Sequence, residues 1–145
     1  MLTTDQKGAI AEAKIAAAAI ELGVGVFKPL SAGERYDLIF DLRPRLVRVQ
    51  CKWAVSDGRV VTMRCCSTRR TREGLRSRAY SAIDIDAFAA YCRLTGDCYL
   101  LPLDRFEHRR AIQVRLVGSR NNQRRAINWA ADFSFDATLK DLVGP

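Results

Sequence analysis

This chain is poor in residues and segments that several classes of protein require. It has one histidine, which excludes a mechanism that needs a pair of histidines. Its five cysteines include no Cys-x-x-Cys pair, which argues against a zinc knuckle. Its first apolar stretch, around residues 10–20, is interrupted by Glu12 and Lys14 and is too polar to cross a membrane. We therefore expect neither a zinc-binding module nor a membrane protein.

Internal repeats, low-complexity linkers and a signal peptide are also missing from the sequence. A chain of 145 residues without such divisions is long enough to build one compact core. We therefore expect a single domain over residues 1–145 and a cytoplasmic location. In that reducing compartment the cysteines are expected to be small buried side chains.

The charge balance favours a nucleic-acid partner. The net charge is +8, and arginine greatly outnumbers lysine. The planar guanidinium group suits phosphate groups and the edges of guanine bases. Because the chain has no basic amphipathic helix of the membrane-binding type, an anionic membrane is the weaker explanation for this charge.

The pattern of apolar residues predicts an α/β fold. Thr4 and Asp5 are candidate caps for a long first helix, which Gly23 ends. The Asp-Gly pair at 57–58 is a two-residue hairpin signal, and residues 69–78, with few apolar side chains, are expected to form an exposed loop. Strands are predicted at 24–27, 36–41, 46–55, 59–65, 86–92, 98–103 and 112–117, with a short helical turn at 104–108.

Four polar residues occupy positions where a core is expected. In the strand VRVQCKWAV, residues 47–55, side chains alternate between the two faces, so Gln50 and Lys52 point the same way. If this strand pairs with the one before it through the short Arg-Pro turn, Asp37 lies near them. Glu12 lies among the alanines of the first helix. Polar side chains are costly to bury without partners, so this group is a candidate site.

This group suits phosphodiester hydrolysis. Mg²⁺ prefers oxygen ligands and keeps several waters, and Asp37, Gln50 and the backbone carbonyl of Cys51 would supply such oxygens. Lys52 would orient or deprotonate the attacking water, or stabilise the charged transition state. Glu12 would hold metal-bound water or a second ion.

Each of these residues also has a simpler interpretation. Glu12 would be ordinary on a solvated helix face, and Asp37 could be a loop residue whose role Asp41 takes instead. Lys52 could extend its ammonium group from the edge of a strand into water. Gln50 could merely satisfy buried backbone groups.

The order Glu12, Asp37, Gln50-Cys51-Lys52 resembles the PD-(D/E)xK nuclease superfamily, in which a helix glutamate precedes an aspartate and a (D/E)-x-K strand. Glutamine in place of the acid is similar to the branch of group I intron-encoded homing endonucleases, where Q-x-K occurs. Tyr36 stands where the family normally has proline. Further stretches that resemble this branch are KGAIAEAKIA at 7–16, RYDLIFD at 35–41, IDAFAAYC at 85–92 and NNQRRAINWAADF at 121–133.

The resemblance implies a restriction-endonuclease-like core, with an N-terminal helix followed by a mixed central β-sheet and flanking helices. It implies that Glu12, Asp37, Gln50 and Lys52 form the active site, with Mg²⁺ as cofactor and Mn²⁺ as a substitute. The implied substrate is double-stranded DNA. One site cuts one strand, so double-strand cleavage by this chain requires a homo-oligomer, a dimer or a tetramer.

Two polar segments are candidate DNA contacts. The first would grip phosphates and the second, rich in residues that read base edges, would recognise sequence. These residues are Arg69, Arg70, Arg72, Arg76 and Arg78 in the first segment, and Arg120, Asn122, Gln123 and Arg124 in the second.

Two other functions fit the same residues. A Holliday-junction resolvase would use this fold to recognise branched DNA by shape. A non-catalytic DNA-binding protein would keep the basic surface and lose the metal, and Gln50, which replaces an anionic ligand, is the reason to consider it. RNA binding has little support because no aromatic RNA-binding motif is present.

Overall fold

The structure, a computed structural model, describes residues 1–118 and 127–143 and only the backbone of Arg69. The predicted fold class is confirmed, with an N-terminal helix, a mixed sheet and a second flanking helix. The elements in chain order are α1 (Thr4–Glu21), β1 (Gly25–Phe27), β2 (Leu38–Asp41), β3 (Leu46–Ser56), β4 (Val60–Arg64), β5 (Cys66–Thr71), β6 (Gly74–Ala79), β7 (Ala87–Cys92), β8 (Asp97–Pro102), β9 (Ala111–Arg115) and α2 (Phe135–Val143). Short 3-10 turns span Leu103–Arg105 and Ala130–Phe133.

Helix α1 begins one residue earlier than the sequence predicts. Its N-cap is Thr3, whose hydroxyl accepts from the Gln6 N–H at 3.1 Å while the Gln6 side chain accepts from the Thr3 N–H at 2.9 Å. This reciprocal capping box satisfies two N–H groups, which neither Thr4 nor Asp5 does. Gly23 ends the helix with a φ of +81°, as predicted.

Strand β3 is the centre of the sheet because it pairs with three other strands. Residues 46–49 pair with β2, residues 49–54 pair with β7 in parallel, and residues 55–56 pair with β4. The remaining pairs, β1 with β2, β7 with β8 and β4 with β9, are antiparallel. The parallel pair places the middle of β3 beside β7, whose six residues are all buried.

The turn between β3 and β4 is longer than the predicted two-residue hairpin. Ser56 pairs with Val61, so four residues lie between the paired positions. The Asp57 carboxylate accepts from the Arg59 N–H at 2.8 Å and from the Val60 N–H at 3.0 Å, and these bonds hold the wider turn. The predicted hairpin exists, but its predicted turn type is wrong.

The arginine-rich segment is exposed, as predicted, but it is not a loop. It forms an antiparallel hairpin of β5 and β6, residues 66–79, which we call the arginine hairpin. Thr71 pairs with Gly74, whose φ of +109° suits a tight turn after Glu73. Hydrophobic alternation does not reveal this ribbon because most of it is exposed on both faces.

The core has two layers, one on each face of the main sheet. Beneath α1, the buried residues Ala11, Ile15 and Ala19 repeat every four positions and pack on the first layer. The largest other members of this layer are Leu38, Phe40, Leu42, Val47, Val49, Tyr91, Leu100, Phe135 and Leu139. The second layer contains Val61, Met63, Tyr80, Ile85, Phe88, Leu101, Phe106, Ile112, Val114 and Phe133.

Helix α2 packs against β8 and is a feature that the sequence reasoning missed. Phe135 places its ring 5.9 Å from that of Phe40, which joins α2 to the layer beneath α1. All five cysteines are free thiols, four of them buried and Cys98 half-buried. No helix among the described residues is both long and apolar enough to span a bilayer.

Candidate active site

Gln50 and Lys52 lie on the face of β3 that points away from α1. Val49 and Cys51 belong to the layer beneath α1, whereas Ala54 belongs to the opposite layer. Both polar side chains are half-buried. Neither forms a hydrogen bond or an ion pair with another side chain in the part of the chain that the structure describes. They therefore occupy a partly covered position without a polar side-chain partner among the described residues.

Asp37 lies directly beside these two residues. The β2–β3 ladder begins with Leu38 opposite Val49, and Asp37 extends it by donating its N–H to the Val49 carbonyl at 2.9 Å. Its Oδ2 atom accepts from the Cys51 N–H at 2.8 Å. This bond fixes the carboxylate at the middle of the Gln50-Cys51-Lys52 segment.

The Cys51 backbone carbonyl lies on the same side of β3 as this carboxylate. The N–H and C=O groups of one residue in a strand project toward the same neighbouring strand. Because the Cys51 N–H donates to Asp37, the Cys51 C=O also projects toward the edge where Asp37 lies. Two oxygens of different chemical type, carboxylate and carbonyl, therefore share one edge.

The hydrogen bond and the positive charges around the Asp37 carboxylate do not fully offset the effect of its burial on its pKa. Burial raises its pKa above the usual range, and the nearby Glu12 charge raises it further. The Cys51 N–H bond and the charges of Lys52 and Lys28 act in the opposite direction without cancelling the rise. A cation placed beside Asp37 would stabilise the ionised carboxylate.

The surroundings of the Lys52 ammonium group lower its pKa. Burial lowers its pKa, and the charge of Arg35 lowers it further, while the Asp37 charge partly offsets the shift. Its Nζ atom lies 5.2 Å from the centre of the Tyr80 ring. A lysine in such surroundings holds a proton less tightly than a lysine in water.

Glu12 reaches this region from α1. Its carboxylate forms an ion pair with Lys28, a residue of the segment after β1, and its side chain is 26% exposed. Its charge raises the pKa of Asp37, as well as that of the buried Cys51 thiol. Glu12 therefore lies at the rim of the group, next to a lysine that the sequence reasoning did not consider.

Asp41, the alternative to Asp37, lies at the other end of β2. It pairs with Leu46 and Gly25, and its carboxylate accepts from the Arg43 N–H at 3.0 Å. Asp41 lies four positions after Asp37, which corresponds to roughly 13 Å along an extended strand. The geometry therefore places Asp37, and not Asp41, beside Lys52.

The candidate DNA contacts fall into two groups. Arg70, Arg72, Arg76 and Arg78 are exposed on the arginine hairpin, and Arg69 lies opposite Arg76 in its register. The second set, Arg120, Asn122, Gln123 and Arg124, lies outside the described residues.

Two further arginines flank the group, and the sequence reasoning missed both. Arg35 precedes Asp37 by two residues and binds Asp84, and Arg48 precedes Gln50 by two residues and binds Asp86. Their partners lie more than 35 residues away in sequence, so no local pattern reveals them. Both arginines hold the loop that leads into β7.

The oxygen donors of this group suit a hard divalent cation. No set of three or more His, Cys, Asp or Glu side chains lies close enough to bind a metal within residues 1–118 and 127–143. The donors here are two carboxylates, one side-chain amide and one backbone carbonyl, all of them oxygen. Mg²⁺ sites in proteins commonly use one or two carboxylates and retain waters, so the donor set fits this ion.

Comparisons with known proteins agree with this fold. A search of the curated proteins finds no match. Among solved structures, the chain is similar to the bacterial homing endonuclease I-Ssp6803I, with 26% sequence identity and a TM-score of 0.76 over 97% of this chain and 95% of that one. The family described as PD-(D/E)XK endonuclease matches residues 2–136. The match covers nearly the whole chain, which therefore belongs to the PD-(D/E)XK endonuclease family.

Proposed function

We propose that this protein is a divalent-metal-dependent endonuclease that hydrolyses phosphodiester bonds at specific sites in double-stranded DNA. The observation that carries the proposal is the bond from the Cys51 N–H to Asp37, which brings the carboxylate beside Gln50 and Lys52. Family membership supports endonuclease activity, and the likeness to a homing endonuclease supports the homing type. Gln50 in the Q-x-K position supports membership of the group I intron-encoded branch. Residues 1–145 form the single catalytic domain.

The cofactor in this proposal is Mg²⁺, for which Mn²⁺ can substitute. Asp37, Gln50 and the Cys51 carbonyl would hold it, and Glu12 would bind from α1. When bound, a divalent ion neutralises charge that builds on the phosphate and makes a nearby water easier to deprotonate. The raised pKa of Asp37, caused first by burial, supports a cation at this place because the ionised carboxylate gains most from one.

Lys52 would act on the water or on the reacting phosphate. As the free amine it would accept a proton from the attacking water, and burial lowers its pKa in the direction that this role needs. As the ammonium ion it would orient the water or stabilise the negative charge of the transition state. Glu12 would contribute by holding metal-bound water or a second ion at the rim.

The arginine hairpin would bind the DNA backbone. Its two exposed strands form a ribbon of a width that the major groove admits, and its arginines carry the charge that phosphates attract. The polar segment at 119–125, with Arg120, Asn122, Gln123 and Arg124, would read base edges. Because one chain has one site, cleavage of both strands would need a homo-oligomer, and the target would be partly palindromic.

We expect Arg72→Ala to weaken DNA binding equally across sequences and to lower the slope of log affinity against log salt by about one. Arg72 lies at the exposed tip of the arginine hairpin, where its guanidinium can reach a phosphate. Fluorescence anisotropy over a salt series, with target and unrelated duplexes, measures this. Arg93→Ala, an exposed arginine in the turn after β7, is the control and should leave the slope unchanged. A loss confined to one target sequence would contradict a phosphate contact.

Cleavage of a randomised plasmid library with Mg²⁺ or Mn²⁺ tests the proposal directly. We expect cuts that map to one partly palindromic sequence and depend on the divalent ion. A synthetic four-way junction, tested beside the linear target, separates the homing type from a resolvase. Cutting of the junction alone would assign the protein as a junction resolvase. Absence of cutting on every substrate, with DNA affinity intact, would leave a DNA-binding protein without catalysis.

A further inference from the structure

Arg35 binds both strands at the base of the arginine hairpin. Its Nη1 donates to the Ala79 carbonyl at 3.0 Å and to Asp84 Oδ2 at 2.7 Å. Its Nη2 donates to Ser67 Oγ and to the Arg78 carbonyl, both at 3.0 Å. Ser67 belongs to β5, whereas Arg78 and Ala79 end β6. One guanidinium group therefore joins the two strands to each other and to the loop that follows them.

The backbone of Arg35 leads directly into the candidate active site. Two residues later, Asp37 is bonded through its N–H to Val49 and through its carboxylate to Cys51. Only Tyr36 therefore separates Arg35 from the proposed metal-binding aspartate along the chain.

Tyr80 provides a second connection between the hairpin and the site. The Arg35 guanidinium lies 3.9 Å from the centre of the Tyr80 ring, and Lys52 Nζ lies 5.2 Å from the same centre. The ring meets that of Phe88 at 90°, and Phe88 pairs with Gln50 across the parallel β3–β7 ladder. Tyr80 follows the last residue of β6, so the ring that contacts both Arg35 and Lys52 lies directly after the end of the hairpin.

The ion pair of Arg35 with Asp84 is largely shielded from water. The two side chains are only 18% and 9% exposed, so bulk water and salt weaken this pair much less than a surface pair. Asp84 also accepts from the Ser81 N–H at 3.1 Å. Burial by itself would raise the pKa of Asp84, but this bond and the charges of Arg35 and Arg78 bring it below its usual range. The carboxylate therefore stays charged and holds the guanidinium in one orientation.

We propose that Arg35, held by Asp84 and stacked on Tyr80, is a positioning residue that keeps the arginine hairpin in fixed geometry with Asp37 and Lys52. The inference rests on the proposed function, since it assumes that the hairpin binds DNA and that the polar group cuts it. Its consequence is that phosphates bound by the hairpin set where the scissile phosphate lies at the site. A shift of about 1 Å between a substrate and catalytic groups can cost on the order of a hundredfold in rate.

The test is Arg35→Gln, which keeps a polar side chain and removes the forked set of donors. We expect kcat to fall by about tenfold to a hundredfold, while KM for the target duplex stays within a factor of about three, because phosphate contacts remain but are misaligned. Amide hydrogen exchange, read residue by residue, should accelerate in the arginine hairpin and also at the Cys51 N–H. Asp84→Asn preserves the shape of the side chain and should change kcat and hydrogen exchange in the same direction but by less. This variant replaces Arg35→Gln in the test if Arg35→Gln does not fold.

Arg105→Gln is the matched control. It also removes an arginine stacked on a ring, 4.8 Å from the centre of Phe133, but at a place outside the arginine hairpin and the candidate site. We expect no change in kcat or in exchange at Cys51. An equal fall in kcat for both variants, or faster exchange confined to the hairpin with Cys51 unaffected, would overturn the positioning role. If the wild-type protein does not cut DNA, the proposed function fails. Hydrogen exchange at Cys51 in Arg35→Gln still decides whether Arg35 couples the arginine hairpin to the candidate site.

Discussion

Replacing Lys52 with alanine is expected to lower the cleavage rate by about 10³-fold and to leave DNA affinity within a few fold. Lys52 is half-buried on the middle of β3, where the charge of Asp37 acts on it, whereas Arg70, Arg72, Arg76 and Arg78 of the arginine hairpin are exposed. A group at this place is expected to act on the reacting phosphate or water and to contribute little to the binding of the duplex. Single-turnover cleavage and fluorescence anisotropy on the same duplex measure the two quantities.

The variant Lys52→Arg distinguishes between the two proposed roles of this side chain, a general base and a positive charge. Arginine keeps a positive charge and does not lose its proton in the accessible pH range. If Lys52 acts as a base, the wild-type rate rises with pH up to the lysine pKa, which burial lowers, and the arginine variant is as inactive as the alanine variant. If Lys52 acts as a charge, the arginine variant keeps part of the rate.

Lys140→Ala is the control for the loss of a lysine. Lys140 is exposed on α2, which packs against β8, and its removal should leave cleavage unchanged. Undiminished cutting by Lys52→Ala would show that the candidate site is misplaced. A large loss of DNA affinity in the same variant would assign Lys52 to binding.

Asp37→Asn is expected to abolish both cleavage and the binding of Mg²⁺ or Mn²⁺. The substitution keeps the size of the side chain and an oxygen that can accept from the Cys51 N–H, so the β2–β3 pairing should survive. It removes the anion, which is the strongest attraction that this donor set offers a hard cation. Isothermal titration calorimetry with each ion, beside cleavage of the target duplex, checks both losses.

The pH dependence of metal binding gives this prediction a second test. Burial raises the pKa of Asp37, so its carboxyl binds a proton at a higher pH than an ordinary aspartate. Protons and the metal compete for the same oxygens. Metal affinity of the wild-type protein should therefore fall with decreasing pH sooner than it would for an exposed aspartate.

Asp41→Asn is the matched comparison for this variant. Asp41 is the aspartate at the opposite end of the same strand, bonded to the Arg43 N–H. We expect metal binding and cleavage to persist in Asp41→Asn. Metal binding that survives in Asp37→Asn but disappears in Asp41→Asn would reverse the assignment. If the wild-type protein binds DNA but no metal, a non-catalytic DNA-binding protein is favoured. In that case the replacement of an acidic ligand by Gln50 has abolished metal binding.

The sequence by itself predicts the parts of this fold that depend on local pattern. The apolar residues before Gly23 predict α1, the alternation in VRVQCKWAV predicts β3, and the order of polar residues indicates the family. These features are readable because helices and strands impose fixed periods on their side chains. The arginine hairpin and α2 were missed, the first because a ribbon exposed on both faces buries no periodic set of residues.

The tertiary structure alone decides which polar residues meet. The sequence favours Asp37 over Asp41 only on the assumption that these two strands pair through the short turn, and the pairing of β2 with β3 places Asp37 on the Cys51 N–H and separates Asp41 from it. Arg35 reaches Asp84 and the hairpin across more than 30 residues of sequence. The physical reason is that local periods specify elements, whereas the contacts between elements depend on register and on burial shared by distant segments.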